Sequence, residues 1–280
     1  MRSPAVEEFA ALVNAKVEDE RIDLLRAALA IARTHYPDLE VESYIRRLDH
    51  LAARVRAPIS KVGDAAETIA AINQVLFVEE GFAGNQEDYY DPRNSFLNQV
   101  LDRKLGIPIT LALVYMEVGR RVGLPLLGVG MPGHFLLKHY DPDGRAMIID
   151  PFHRGVLLSE QDCKRRLKQI YGDQVTLQPG SLATVNRRQM LTRMLNNLKN
   201  IFVSVRDFRK ALGIVDLVLA IYPRSPEDVK QRAVLHYNLG QLSRALGDFE
   251  DYLKMSPEAS DADDIRQVTV AIRRNLAAMN

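Results

Sequence analysis

The chain has 280 residues, 47% hydrophobic and 26% charged, which suits a globular protein with one substantial core or two smaller ones. Its 37 basic and 36 acidic side chains nearly cancel, so there is no electrostatic case for nucleic acid or an anionic membrane as partner. No run approaches the roughly 18 uninterrupted apolar residues that a membrane span needs. Glu7 and Glu8 stand where a signal peptide requires an apolar core, and the single cysteine, Cys163, excludes an internal disulfide, so a cytoplasmic location is expected.

Residues 4 to about 81 read as four helices. Ser3-Pro4 has the form of an N-cap followed by proline at the first helical position. Leu24, Leu25, Ala28, Ile31 and Ala32 follow helical spacing up to Tyr36-Pro37, and Tyr44, Ile45, Leu48, Leu51, Ala52 and Val55 form a second stripe. Asp64-Ala65-Ala66-Glu67 is written as a capping box ahead of Ile69, Ile72 and Leu76. Residues 81 to 95 are polar and turn-rich, which predicts a loop.

Beyond 95 the pattern changes. Helical stretches at 95 to 105 and 108 to 122 precede apolar runs at 124 to 131, 134 to 140, 146 to 150 and 155 to 158. Asp141-Pro142-Asp143-Gly144 marks a hairpin between two of them. This predicts an α+β arrangement, helices packed on a small antiparallel sheet, with a further helix at 159 to 171 capped by Ser159. From about 187 the chain is helical and repetitive. Ala211 and Ala245 stand 34 residues apart within matching Ala-Leu-Gly segments, the period of tetratricopeptide repeats. The expected organisation is a helical region over 1–85, an α+β domain over 86–180 and degenerate repeats over 181–280.

The chemistry-bearing residues lie in the α+β stretch. Gly106-Ile107-Pro108-Ile109-Thr110-Leu111-Ala112 opens a helix that ends at Gly123-Leu124-Pro125. His134 follows in Pro132-Gly133-His134-Phe135, and Asp150 in Ile148-Ile149-Asp150-Pro151-Phe152. A nucleophile at a helix start, then His, then Asp, is the order used by papain-like and transglutaminase-like thiol enzymes. Transglutaminase-like domains carry Gly-x-Cys-x-x-x-Ala followed one helix later by a Leu-Gly-Ile-Pro-like turn. In that frame the position of the thiol, two residues after Gly106, is Pro108. A first helical turn favours thiolate through its unpaired N–H groups and positive dipole end, and it also accepts proline. The helix can therefore start normally without the nucleophile.

These residues, with Asn94-Ser95-Phe96-Leu97-Asn98, resemble the bacterial SirB-type family, described as transglutaminase-like plus tetratricopeptide proteins and linked to regulation of invasion-gene expression. The resemblance implies a transglutaminase-like (papain-like) core followed by helical repeats. It leads to a regulatory or interaction protein whose protein or peptide partner binds at the repeats or the triad cleft. The alternative is a hydrolase or acyltransferase on amide or peptide substrates, using Thr110 or a water activated by His134. The candidate catalytic residues are thus His134, Asp150 and Thr110, with Asn94, Asn98 and Pro108 at the pocket rim. No cofactor is expected, and no metal. His139 falls five residues after His134, and strand alternation would likewise separate His153 from Asp150. Cys163 follows the Asp, out of triad order, and is expected on a surface helix where Lys164 could lower its pKa.

Overall fold

The computed structural model describes residues 4–60, 63–172, 178 and 180–278. Four helices open the chain: α1 (Pro4–Val13), α2 (Leu24–Arg33), α3 (Val41–Arg56) and α4 (Ala65–Asn73). Ser3, the expected cap of α1, lies outside the described residues. Asp64 caps α4 by accepting from the Glu67 backbone N–H at 3.0 Å, but the Glu67 carboxylate turns to Ser60 instead of closing the capping box. A π-helical segment, Gln74–Glu79, extends α4.

The loop that follows contains β1 (Ala83–Gly84). Then come α5 (Leu97–Arg103), β2 (Leu105–Gly106), α6 (Pro108–Arg121), β3 (Leu127–Val129), β4 (Leu136–Tyr140), β5 (Ala146–Asp150), β6 (Val156–Leu158), α7 (Glu160–Tyr171) and β7 (Thr184–Val185). Ser159 caps α7, its hydroxyl accepting from the Asp162 N–H at 3.2 Å. Strands β3 to β7 form one antiparallel sheet in the order β6-β5-β4-β3-β7, and β1 pairs with β2 in parallel. The sheet and the helices preceding it are the expected α+β arrangement. β1, β2 and β7 are two residues each, too short to leave a period in the sequence.

The remaining helices are α8 (Arg187–Ser204), α9 (Phe208–Ile221), α10 (Pro226–Asn238), α11 (Leu242–Met255) and α12 (Ala262–Ala278). The chain forms two compact units, Asp19–Met194, and Met1–Glu18 with Leu195–Asn280. In the second unit successive helices from α9 to α12 pack on one another, and α1 packs on α9. Ala211 and Ala245 are 0% exposed, which is what the close-contact position of a 34-residue repeat requires.

In the first unit α6 is the central helix. Its buried residues include Ile109, Leu111, Ala112, Leu113, Val114, Tyr115 and Val118. A helix apolar on almost every side must be enclosed. It packs against α3, α4, α5, β4 and the turn that follows β5. Val129, Met131, Leu136, Ile148 and Cys163 form a second apolar cluster between the sheet and α7.

Candidate functional site

The start of α6 is held from the loop before it. Ile107 is extended, and Pro108 takes the first helical position, where its missing N–H loses no bond. The Thr110 hydroxyl accepts from the Ile107 N–H at 3.1 Å and donates to the Asn94 carbonyl at 2.8 Å. Gly106 permits this: a Cβ there would stand 2.9 Å from Thr110 Oγ1. Asn94 in turn donates to the Asp88 carbonyl at 2.7 Å and accepts from the Asn85 side chain at 3.1 Å. Thr110, Asn94 and Asn98 are 0%, 0% and 3% exposed, and Pro108 is buried. Asn94 and Asn98, expected at a rim, thus lie inside the unit, and Asn98 Oδ1 has no hydrogen-bond partner among the described residues.

The His–Asp pair is built at the ends of two adjacent strands. Antiparallel pairing sets Leu137 opposite Ile149, so the turn before β4 and the end of β5 meet. Gly133, at φ +65°, turns the chain and presents His134. Arg193 clamps this turn, donating to the carbonyls of Met131 at 3.0 Å and His134 at 2.8 Å, with its guanidinium 5.5 Å from the Phe135 ring centre. Burial holds the Arg193 pKa below its ordinary value. No local period marks Arg193, which follows His134 at a distance in sequence that only the fold closes.

His134 Nε2 lies 2.8 Å from Asp150 Oδ2, the triad contact expected from the sequence. An ionised carboxylate only accepts, so Nε2 carries the proton and Nδ1 is left as the second ring nitrogen. Asp150 Oδ1 accepts from the backbone N–H groups of Phe152 at 3.1 Å and His153 at 3.2 Å. Burial opposes ionisation of Asp150, but the hydrogen bonds from His134 and His153 prevail and hold its pKa well below the usual carboxylate range.

Two sequence expectations need correction here. His153 was placed away from Asp150 by strand alternation. The strand ends at Asp150, Pro151 opens a one-turn 3-10 helix, and the chain curls back until His153 Nδ1 is 3.0 Å from Asp150 Oδ2. His134, Asp150 and His153 therefore converge, against the expectation that no metal-ligating set would form. Cys163 was expected on a surface, with Lys164 lowering its pKa. It is 0% exposed, and burial pushes its thiol up to about 11. His139 does face elsewhere, its Nδ1 2.9 Å from the Pro125 carbonyl.

A chain of contacts links this pair to the start of α6. The His134 and Phe152 rings meet edge to face at 5.8 Å. Phe152 covers Gly84 so closely that a Cβ there would lie 2.4 Å from the ring, and Gly84 pairs with Gly106, two residues before Pro108. Asn73 fixes the far side of the turn, donating to the Gly155 carbonyl at 3.0 Å while accepting from the Tyr115 hydroxyl at 3.0 Å. The result is a base oriented by an acid and linked through Phe152, Gly84 and Gly106 to the start of α6, with the His134 side chain 5% exposed and Asp150 fully enclosed.

Residues 42–196 match the family described as the transglutaminase-like superfamily, and residues 198–269 match a tetratricopeptide repeat family. A protein of Xylella fastidiosa named UPF0162 protein is 35% identical over 90% of both chains, and one of Vibrio cholerae with the same name is 27% identical over 90% of this chain and 93% of its own. F-box only protein 21 of Mus musculus is 34% identical over 62% of this chain and 28% of its own length. No solved structure matches. With most of the α+β unit and the repeats both matched, and with relatives aligned nearly end to end, the chain belongs to the transglutaminase-like superfamily, in the SirB-type family whose members bear the UPF0162 name and carry tetratricopeptide repeats.

Proposed function

We propose that this protein acts by binding a protein or peptide partner, as a regulator, and that its transglutaminase-like domain is non-catalytic, with Pro108 at the position of the nucleophile. The observation that carries this reading is the state of the first turn of α6. Pro108 offers no nucleophilic atom, and the Thr110 hydroxyl is buried with its proton directed to backbone carbonyls, those of Asn94 and Ile107. An alcohol attacks only when a base is free to take its proton, and among the described residues no basic side chain is bonded to Thr110. The one thiol of the chain, Cys163, is sequestered in an apolar cluster. The tetratricopeptide repeats supply the binding function, since helical repeats of this kind present extended faces to partners. The match to part of the longer F-box only protein 21 supports the use of this kind of sequence as a module within larger chains.

The test is an amide-hydrolysis and amine-incorporation assay on glutamine-rich and mixed peptide substrates, comparing the full chain with folded His134→Gln and Thr110→Val. The proposal expects no turnover above background in any of them. Turnover that His134→Gln removes and Thr110→Val keeps would establish instead a hydrolase acting through an activated water. Turnover lost in both variants would make Thr110 the nucleophile with His134 as its base.

A further inference from the structure

We infer that His134, Asp150 and His153 form a binding site for a divalent transition-metal ion of the zinc class, whose place in the metal-free chain is held by the Arg166 guanidinium. This goes beyond partner binding and does not depend on it. The first ground is the donor set. Two imidazole nitrogens and one carboxylate oxygen converge, and two histidines with one carboxylate suit zinc, iron(II) and their neighbours. His134 Nε2 and His153 Nδ1 stand 2.8 and 3.0 Å from Asp150 Oδ2. Metal bonds of roughly 2.0–2.1 Å in tetrahedral geometry set neighbouring ligands about 3.3–3.4 Å apart, so both edges, now at hydrogen-bond distance, need open by only about half an ångström to admit an ion.

The second ground is that hydrogen bonding alone does not satisfy the cluster. Arg166 Nη1 lies 3.0 Å from Asp150 Oδ2 and 2.5 Å from His153 Nδ1. His153 Nδ1 has one role at a time. With a proton it serves Asp150 and opposes the Arg166 N–H. Without one it accepts from Arg166 and turns a lone pair toward the carboxylate. Oδ2 meanwhile receives three side-chain nitrogens, while Oδ1 is taken by two backbone N–H groups. A metal ion removes the conflict: both imidazoles become lone-pair donors, Oδ2 becomes a ligand, and the backbone bonds to Oδ1 keep the carboxylate aimed. His134 loses its Nε2 proton on binding, so one proton is released or moved to Nδ1.

The third ground is access. The His153 side chain is 40% exposed, which provides an entry path. Arg166 has somewhere to go, because it borders a depression of about 330 Å³ also lined by Leu158, Asp162, Arg165 and Gln169. Asp162, four residues before Arg166 on α7, is already bonded to Arg165 and Ser159, so the displaced guanidinium moves out into this solvent-open depression.

The experiment titrates the full-length, chelator-treated protein with Co²⁺, read by its visible absorption, and with Zn²⁺ in competition with a chromophoric chelator. One equivalent should bind. His153→Ala should weaken binding by at least about tenfold, Arg166→Gln should tighten it several-fold, and His139→Ala should leave it unchanged. His153 is exposed enough for its substitution to leave the fold intact, which circular dichroism checks. Failure of the unaltered chain to bind one equivalent, or binding that His153→Ala leaves unchanged, would overturn the inference. Equal affinity in Arg166→Gln would refute the role given to Arg166.

Discussion

Removing the imidazole of His134 tests how Asp150 is held. Stripping every partner from a buried carboxylate costs about 3–5 kcal/mol. Asp150 keeps more than that in His134→Ala: His153 at 3.0 Å, Arg166 at 3.0 Å and two backbone N–H groups remain. The loss should therefore be nearer that of one hydrogen bond to a charged group plus a small cavity, about 2 kcal/mol. Asp150→Asn keeps an oxygen for the backbone N–H groups but turns a neutral amide toward His134, His153 and Arg166, and should cost about 3 kcal/mol. The double variant should cost less than the sum, with a coupling of about 1–2 kcal/mol, because the 2.8 Å contact is lost once and not twice. Urea melts of the four proteins measure this directly. Additivity within about 0.5 kcal/mol would mean that the two side chains do not share a bond in solution, and the site as drawn would fail.

Three further outcomes follow from the same contacts. Native Cys163 should resist iodoacetamide at neutral pH and react only in alkali or after unfolding, because burial lifts its thiol to about 11; mass-spectrometric labelling at rising pH checks this, and fast labelling near pH 7 would refute it. Ala211→Leu or Ala245→Leu should overpack fully buried positions and cost about 1–3 kcal/mol in a melt, whereas a neutral outcome would mean that these alanines do not stand where repeat helices cross closely. Burial opposes ionisation of Asp91, yet Arg93 at 2.7 Å and Arg103 at 3.3 Å hold its pKa below the ordinary value. Its contribution to stability should thus be present above the unfolded value of about 3.9 and be lost as pH falls through the folded value, and Asp91→Asn should flatten that part of the acid-unfolding curve.

Much of this architecture was legible because it rests on local rules. Helical spacing located α2, α3 and α6, Ser159 marked the start of α7, and the 34-residue offset between Ala211 and Ala245 gave the repeats. The His134–Asp150 contact was legible because both residues end apolar runs that a hairpin joins. What escaped depends on where a rule stops applying. Alternation failed for His153 because Pro151 breaks the strand immediately after Asp150. Cys163 looked exposed because α7 is mostly polar, yet Cys163 and Leu167, one turn apart, are buried. Arg166 and Arg193 reach the site from helices later in the chain, and a charged side chain on a helix gives no sign of which carbonyl or carboxylate it will meet.

The central claim is that residue 108 stands at the nucleophile position opposite His134, and one substitution tests it most directly. In Pro108→Cys, site-resolved alkylation across pH reports the pKa of the new thiol apart from that of Cys163. The helix start and His134 should together favour thiolate, so the inflection should fall below the free-thiol value of about 8.5 and rise when His134→Ala is added. An inflection at or above about 8.5, unmoved by His134→Ala, would mean that the imidazole does not face residue 108 and that the proline does not replace a catalytic thiol.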